Sequence, residues 1–364
     1  MKVAVVGSGL AGFTAYQTLR RELEPDEIAV FGADDDPAAT FRRRAAAIRQ
    51  REMRSESDGH CLPTSFPGLV FRSAAARRSP RPLVGTFFDR YHPTVREFLA
   101  HVDRLRERSG WDTSLRATRV ERIRAVDGGF ELDGHGVFPH VLVATGHPGL
   151  NVPEELRGDA RLVHAYEPHE YASTVTVVGA GLAAATEWLN ALAAGSEVVS
   201  VRRRAPVRRP LNVPREYFSQ RGLAGFHRLS KGERAERLRV LLSPGYPHGR
   251  RWDDAIASAT YEGRFRIEEA VNGAQQVICA TGFKRGFAHD PLLARLVDEH
   301  GIETADGWIV LAPDASVPAL SDETRTLALA GVAAQWAFPA ADTLAGAKYV
   351  AHRFLTRIES CRTR

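Results

Sequence analysis

Cysteine is scarce: the chain has only three in 364 residues, Cys61, Cys279 and Cys361, and no two stand in a C-x-x-C pair. That spacing argues against a thioredoxin-reductase-type redox disulfide and a cysteine-ligated zinc site, and no metal-binding set is read anywhere in the sequence. With so little cysteine, the expected compartment is reducing, the cytoplasm. Long apolar runs are also absent, so neither a membrane span nor a leader is expected. Lysine is rare, at Lys2, Lys231, Lys284 and Lys348, so the net charge of +5 rests on arginine. Those arginines are scattered and accompany no nucleic-acid recognition motif, so no nucleic-acid partner is expected; phosphate-rich ligands account for a basic balance equally well.

Glycine is present, and it is placed. Gly7-Ser8-Gly9-Leu10-Ala11-Gly12 follows the apolar run Val3-Ala4-Val5-Val6. Gly179-Ala180-Gly181-Leu182-Ala183-Ala184 follows Val175-Thr176-Val177-Val178. Each motif stands where a buried strand should turn into a helix. There the first glycine allows the tight turn, the second lets the backbone approach a pyrophosphate, and the third position must be small for the helix to pack on the strand. The helix N-terminus then offers unpaired N–H groups and a positive dipole end to the phosphates. Two such motifs predict an α/β chain with two Rossmann-like dinucleotide-binding domains, and electron transfer between a nicotinamide and a second cofactor, a flavin.

Along the chain, Lys2–Val6 reads as a central strand, Leu10–Leu19 as the following helix and Ile28–Phe31 as the second strand. A polar loop of unusual length runs from Met53 through Arg54, Ser57, Asp58 and His60 to Pro63. Thr94–Arg108 is an amphipathic helix, with Val95, Phe98, Leu99, Val102 and Leu105 on one face. Short strands from Trp111 onward end in the apolar strand Val141–Val143 and the turn Ala144-Thr145-Gly146. The second unit opens near Val175, continues through Val198–Val201, and ends in Gln276–Cys279 followed by Ala280-Thr281-Gly282-Phe283. Between them, Arg202–Tyr246 is polar and proline-rich with one short helix, Lys231–Leu242. Thr326–Val332 reads as a strand and Asp342–Leu355 as the last helix, so the second unit is expected to be inserted into the first: 1–165 and 286–364 around 166–285, with a cavity-covering segment at about 208–251.

These motifs resemble the two-dinucleotide-domain flavoproteins, and among them the single-component NADPH-dependent monooxygenases: flavin-containing monooxygenases, Baeyer–Villiger enzymes and amine N-hydroxylases. The segment Gly158–Tyr171, with His164 ahead of the second glycine motif, resembles that group's linker fingerprint; Leu156 stands where an aromatic is expected and Tyr171 matches the terminal one. Phe226–Ser230 with Glu233-Arg234 is similar to the amine N-hydroxylases. The chain departs from the group at two places. Gly32 stands where an acid usually holds the adenosine ribose, leaving Asp34, Asp35 and Asp36 as substitutes, and Gly331-Val332 replaces a Gly-Asp pair.

The resemblance implies an oxidoreductase with FAD and NADPH that inserts one oxygen atom into a small molecule, by N-, S- or Baeyer–Villiger oxidation, through a flavin C4a-(hydro)peroxide. A reductase or dehydrogenase without oxygenation, and a non-catalytic nucleotide-binding protein, are the alternatives. Gly7, Ser8, Gly9, Leu10, Ala11 and Gly12 are the candidate FAD-diphosphate turn, and Gly179, Gly181 and Ala184 its NADPH counterpart. Arg202 and Arg203 follow the second strand of the second unit, where arginine pairs with a 2′-phosphate. Ala144, Thr145, Gly146, Thr281 and Gly282 complete the expected cofactor contacts, with Arg54 from the polar loop and with Asp342 and Thr343, whose helix would point its N-terminus at the flavin ring. His60, Ser57 and Asp58 are the candidate catalytic residues, with His60 suited to proton transfer near neutrality.

Overall fold

The computed structural model describes residues 3–53, 69–87, 93–203, 205, 207–208, 213–246 and 250–362. Its frame is two five-stranded parallel sheets of matching design. The first has the order Thr326–Leu329, His140–Val143, Val3–Val6, Ile28–Phe31, Leu115–Arg116. The second has the order Phe265–Glu268, Glu197–Val201, Thr174–Val178, Gln276–Cys279, Leu162–His164. In each, the strand before a glycine motif is central and the strand before an Ala-Thr-Gly turn lies beside it. Every residue of Val3–Val6 and His140–Val143 is buried, as unbroken β-branched and apolar runs require in a sheet covered on both faces.

The first sheet is completed only after the second has been built, because its edge strand Thr326–Leu329 lies beyond the whole second sheet in sequence. The second unit is thus inserted into the first. The edge strand Leu162–His164 already pairs in the second sheet, ahead of residue 166. Helix Leu10–Leu19 packs against the last helix, Leu344–Arg362. Helix Val95–Ser109 is started by a capping box between Thr94 and Glu97 and stopped by Gly110 at φ 73°. An antiparallel meander, Ile123–Val126, Gly129–Leu132 and Val137–Phe138, stands beside the first sheet.

Three differences from the sequence reading have local causes. The strand expected over Thr326–Val332 ends at Leu329 and passes into a 3-10 turn, Gly331–Ala334, because Gly331 takes φ +63°. The last helix starts at Leu344, with Thr343 as its cap: its Oγ1 accepts from the Gly346 N–H at 3.0 Å, and Asp342 stays outside. The polar segment holds a second helix, Gln220–His227, beside Lys231–Leu241. Gly222 and Gly225 hide it from a propensity reading, yet Gly222 is needed there: a Cβ would lie 2.0 Å from the Glu216 carbonyl oxygen.

Candidate functional site

Both glycine turns close on the neighbouring Ala-Thr-Gly strand. Gly7 has φ +126° and packs so tightly that a Cβ would sit 2.2 Å from the Ala144 carbonyl oxygen; at Gly179, φ +142°, the same atom would be 2.5 Å from the Ala280 oxygen. Gly12 faces back onto Gly7, where a Cβ would fall 1.8 Å from its oxygen. Ala184, at the equivalent position, is wholly buried. Gly9 differs: a Cβ there would meet nothing within 4 Å, and at Gly181 only Pro244, at 3.7 Å. The helices that follow, Leu10–Leu19 and Leu182–Ala193, have Gly9 and Gly181 as N-caps without a side-chain hydrogen bond. Thr94, Ser219, Ser230 and Asp290 supply that bond to other helices. At these two helix N-termini the cap residue is a glycine with no side chain of its own, beside open backbone among the described residues, the arrangement that receives phosphate.

The end of the second strand departs from the expected pattern for a packing reason. Ser8 is buried against Gly32, and a Cβ on Gly32 would lie 2.1 Å from the Ser8 Oγ. The same Cβ would lie 2.6 Å from the Ser8 backbone nitrogen, so this backbone excludes an acid at 32. Of the substitutes, Asp36 accepts from the Ala38 N–H at 2.8 Å and from Arg42 at 2.7 Å, and Asp35 accepts from Arg106 at 3.4 Å. Asp34 alone is exposed without a hydrogen-bond or ion-pair partner among the described residues.

The two Ala-Thr-Gly turns lie side by side. Leu150 and Phe283 form an antiparallel bridge, the Asn151 N–H donates to the Gly282 oxygen at 2.9 Å, and the Lys284 N–H donates to the Gly149 oxygen at 2.9 Å. Thr145 donates its hydroxyl to Asp290 Oδ2 at 2.6 Å, while Thr281 donates to the Asn151 oxygen. Arg202 lies over the Trp188 ring at 5.9 Å, and Arg203 pairs with Glu155 on the surface, a contact weak enough for a phosphate to displace. Trp336 and Phe338 are core residues, buried at 1% and 2% exposure. Arg54, Ser57, Asp58 and His60 lie outside the described residues.

Between the turns is a cluster that motif reading does not reach. Phe283 stacks on His147 at 4.2 Å and on Tyr166 at 4.9 Å, and the Arg44 guanidinium lies over it at 4.5 Å. Burial, reinforced by the charges of Arg44 and Arg285, lowers the His147 pKa to about 4, so the imidazole is neutral at physiological pH. Arg285 donates to the Leu242 oxygen at 2.7 Å and has its pKa lowered by burial. Asp342, next to the last helix, keeps solvent-accessible surface while burial raises its carboxyl pKa against the pull of Arg285. The signal for this cluster in the sequence is slight: a histidine directly after Gly146 and a basic pair directly after Phe283.

A second buried network fastens the linker to the second unit. Glu187, on helix Leu182–Ala193, is wholly buried and accepts from the Tyr171 hydroxyl at 2.7 Å, with His169 Nε2 at 3.1 Å. Tyr171, matched above to the terminal aromatic of the linker fingerprint, is thus a hydrogen-bond donor to this helix. His164 is buried and accepts from the Tyr166 N–H through Nδ1 at 3.2 Å.

The family model for the pyridine nucleotide-disulphide oxidoreductases matches residues 1–221, more than half of the chain. The chain belongs to this family. No curated protein matches the sequence. Among solved structures, this oxidoreductase is similar to the ornithine N-hydroxylase of Kutzneria sp. 744, with a TM-score of 0.75, 15% identity, and coverage of 100% of this chain and 99% of that one. It is also similar to the ornithine hydroxylase of Pseudomonas aeruginosa, with a TM-score of 0.69, 15% identity, and coverage of 98% and 99%. The bacillithiol disulfide reductase of Bacillus cereus follows the same fold, with a TM-score of 0.61, 14% identity, and coverage of 100% and 99%. At these identities the likeness is one of fold, and it extends over the full chain. Among the described residues, no helix is long and apolar enough to cross a membrane.

Proposed function

We propose that this oxidoreductase is an NADPH-dependent FAD monooxygenase acting on a small molecule. The observation that carries the reading is the pair of glycine-capped helix N-termini, with open backbone among the described residues at Gly9 and Gly181, each following the central strand of its own parallel sheet. The residues present fit two dinucleotides: among the described residues nothing lies within 4 Å of a Cβ at Gly9, while Gly7 and Gly12 are spent on packing. Gly7 to Gly12 would hold the FAD diphosphate, Asp34 the adenosine ribose, and Ala144 to Gly146 with Asp342 and Thr343 the flavin end. Gly179, Gly181 and Ala184 would hold the NADPH diphosphate, Arg202 and Arg203 its 2′-phosphate, and Thr281 and Gly282 its approach to the flavin. The FAD-binding unit is 1–165 with 286–364, and the NADPH-binding unit is 166–285, apart from the edge strand Leu162–His164.

FAD held there would supply a hydride acceptor for NADPH and a centre that reacts with oxygen. The chain's own part is to position both cofactors, exclude water and supply charge. Neutral His147 and the stacked Phe283 keep the space between the two turns dry, and Arg285 places a fixed positive charge beside it. The chain has no C-x-x-C dithiol, which removes the commonest form of the internal-disulfide chemistry in the family name and favours a flavin that reacts directly with its acceptor. The fold it shares with the bacillithiol disulfide reductase makes a reductase without oxygenation the second reading.

The test is the visible spectrum of the purified protein followed by NADPH in air. Bound flavin that bleaches with NADPH, together with oxygen uptake that exceeds hydrogen peroxide release when a substrate is supplied, is the expected result. Reduction that is fast with dye acceptors, with all oxygen uptake recovered as peroxide for every substrate tried, would give the reductase reading. Protein that cannot be loaded with FAD overturns both.

A further inference from the structure

A cavity of about 430 Å³ lies between helix Gln220–His227, the turn at Pro313 and the last helix, Leu344–Arg362. That volume is in the range of pockets that take a small organic molecule. None of its lining residues belongs to a glycine turn or to an Ala-Thr-Gly turn. Leu223, Ala224 and Pro313 give it an apolar wall. Its charged lining comes from Arg353 and Asp314. On the last helix, Tyr349 and Arg353 stand four residues apart and share a face. Tyr349 stacks on Phe338 at 4.6 Å, and the Arg353 guanidinium lies over the Tyr349 ring at 5.3 Å. The Arg353 Nε–H donates to the Tyr349 hydroxyl at 3.1 Å. That bond uses Nε alone, and the two terminal nitrogens have no acceptor among the described residues. The guanidinium is thus held in place with its fork open.

Asp314 does not fill that fork. Its Oδ1 accepts from the Ser316 N–H at 3.0 Å and the Ser316 hydroxyl at 2.6 Å, and its Oδ2 accepts from Arg357 at 2.8 Å. His227 supplies an acceptor. Its Nε2 stands 2.6 Å from the Ala337 carbonyl oxygen, which only accepts, so the ring hydrogen is on Nε2. Burial, with the charges of Arg234 and Arg353, holds the imidazole pKa below its ordinary value against the pull of that bond. The ring is therefore neutral at physiological pH, and Nδ1 carries a lone pair with no donor among the described residues. We propose that this cavity binds a small organic acid, with its carboxylate on the Arg353 fork, its apolar body against Leu223, Ala224 and Pro313, and a hydroxyl or N–H group donating to His227 Nδ1. One open fork beside apolar walls matches a planar carboxylate. The site is additional to the two nucleotide turns and is tested without turnover, so its outcome is independent of the monooxygenase reading.

The purified chain, in phosphate-free buffer, is titrated calorimetrically with 4-hydroxybenzoate and with 4-hydroxybenzamide, an uncharged molecule of nearly the same shape. The acid is expected to bind the wild-type chain about tenfold or more tightly than the amide. Arg353→Gln should weaken the acid about tenfold and leave the amide within about twofold, which is the coupling expected of a direct charge contact. Arg353→Lys should weaken the acid less, because lysine keeps the charge and loses the planar fork. Ala224→Phe fills the cavity from an exposed position on its helix and should abolish binding of both molecules. Melting temperatures within about 2 °C of wild type show that a variant keeps its fold, and the surface position of Ala224 keeps the test open if an Arg353 variant does not. Failure of the acid to bind the wild-type chain overturns the site. So does an acid-to-amide ratio that Arg353→Gln leaves unchanged, or acid binding that survives Ala224→Phe.

Discussion

At the scale of single residues, the first glycine motif divides into positions used by the fold and a position left to a ligand. Gly12→Ala drives a Cβ into the Gly7 carbonyl at 1.8 Å, so it is expected to destabilise the protein by about 1–3 kcal/mol or more and to lower its melting temperature. Gly9→Ala meets no atom of the described residues within 4 Å and has φ −73°, which alanine adopts without strain. Its melting temperature without cofactor should stay within about 2 °C of wild type, while FAD affinity, followed by flavin fluorescence, falls about tenfold or more. Equal loss of stability in both variants would remove the distinction. Ser8 and Gly32 form a second pair of this kind. Gly32→Asp should destabilise the first unit because its Cβ meets both the Ser8 Oγ and, at 2.6 Å, the Ser8 backbone nitrogen, so Ser8→Gly should recover only part of the loss; a thermal-melt double-mutant cycle reads the coupling. His147 gives a pH signature. Its pKa of about 4 in the folded chain lies below the ordinary 6.5, so the unfolded chain binds the proton more readily. The stability it lends is complete above pH 6.5 and is lost as pH falls toward 4, at most about 3 kcal/mol. Denaturant melts of His147→Leu against pH should be flatter over that window; an unchanged acid slope would place the depressed group elsewhere.

At the scale of elements, the linker–helix attachment through Glu187 titrates in the opposite sense. The Glu187 carboxylate and the Glu167 carbonyl raise the His169 pKa despite its burial. The pair is complete below the ordinary histidine pKa, and its stabilisation is lost as pH rises through the raised value. Glu187→Leu leaves the Tyr171 hydroxyl and His169 in a buried place without their acceptor and should cost about 3 kcal/mol; His169→Gln should remove the loss on the alkaline side. Stability melts from neutral to alkaline pH check both, and an alkaline loss that persists in His169→Gln would overturn the assignment. Elements of this sort mark how far the sequence could be read. Val3–Val6, Leu10–Leu19 and Ile28–Phe31 were legible because buried β-branched runs and glycine spacing are local signals. The start of the last helix was misplaced by two residues because Asp342 and Thr343 are both good caps, and only the Thr343 contact with Gly346 decides between them. Gln220–His227 was missed because tertiary packing against Glu216 overrides the low helix propensity of its glycines. The cluster of Arg44, His147, Phe283 and Arg285 left only a slight trace in the sequence, since its members come together only when the two Ala-Thr-Gly turns meet.

At the scale of the whole molecule, the chain leaves the first sheet after His140–Val143 and returns to it through Phe283, and these two crossings are bridged backbone to backbone at Leu150 and Phe283. Antiparallel partners at such a bridge lie roughly 5 Å apart between Cα atoms, a gap that a short glycine-containing turn can span. The inserted unit has its own five-stranded sheet and a separate core around Val175, Val177, Trp188 and Ile278. The first sheet, by contrast, needs its returning strand Thr326–Leu329 and the last helix that packs on Leu10–Leu19. The two possible truncations therefore predict opposite outcomes. A chain stopped before residue 286 loses an edge strand and a core helix and should not hold flavin. A chain in which Asn151–Gly282 is replaced by a tight turn keeps all five strands of the first sheet, loses the Gly179 turn, and exposes Phe283 and Ile48. It should melt cooperatively, at lower temperature, and retain flavin absorbance. Dithionite should bleach that flavin while NADPH leaves it oxidised. Bleaching by NADPH would mean that the second glycine turn is not the nicotinamide site, and a flavin-free excision variant with a cooperative melt would mean that the first unit cannot hold FAD without the second.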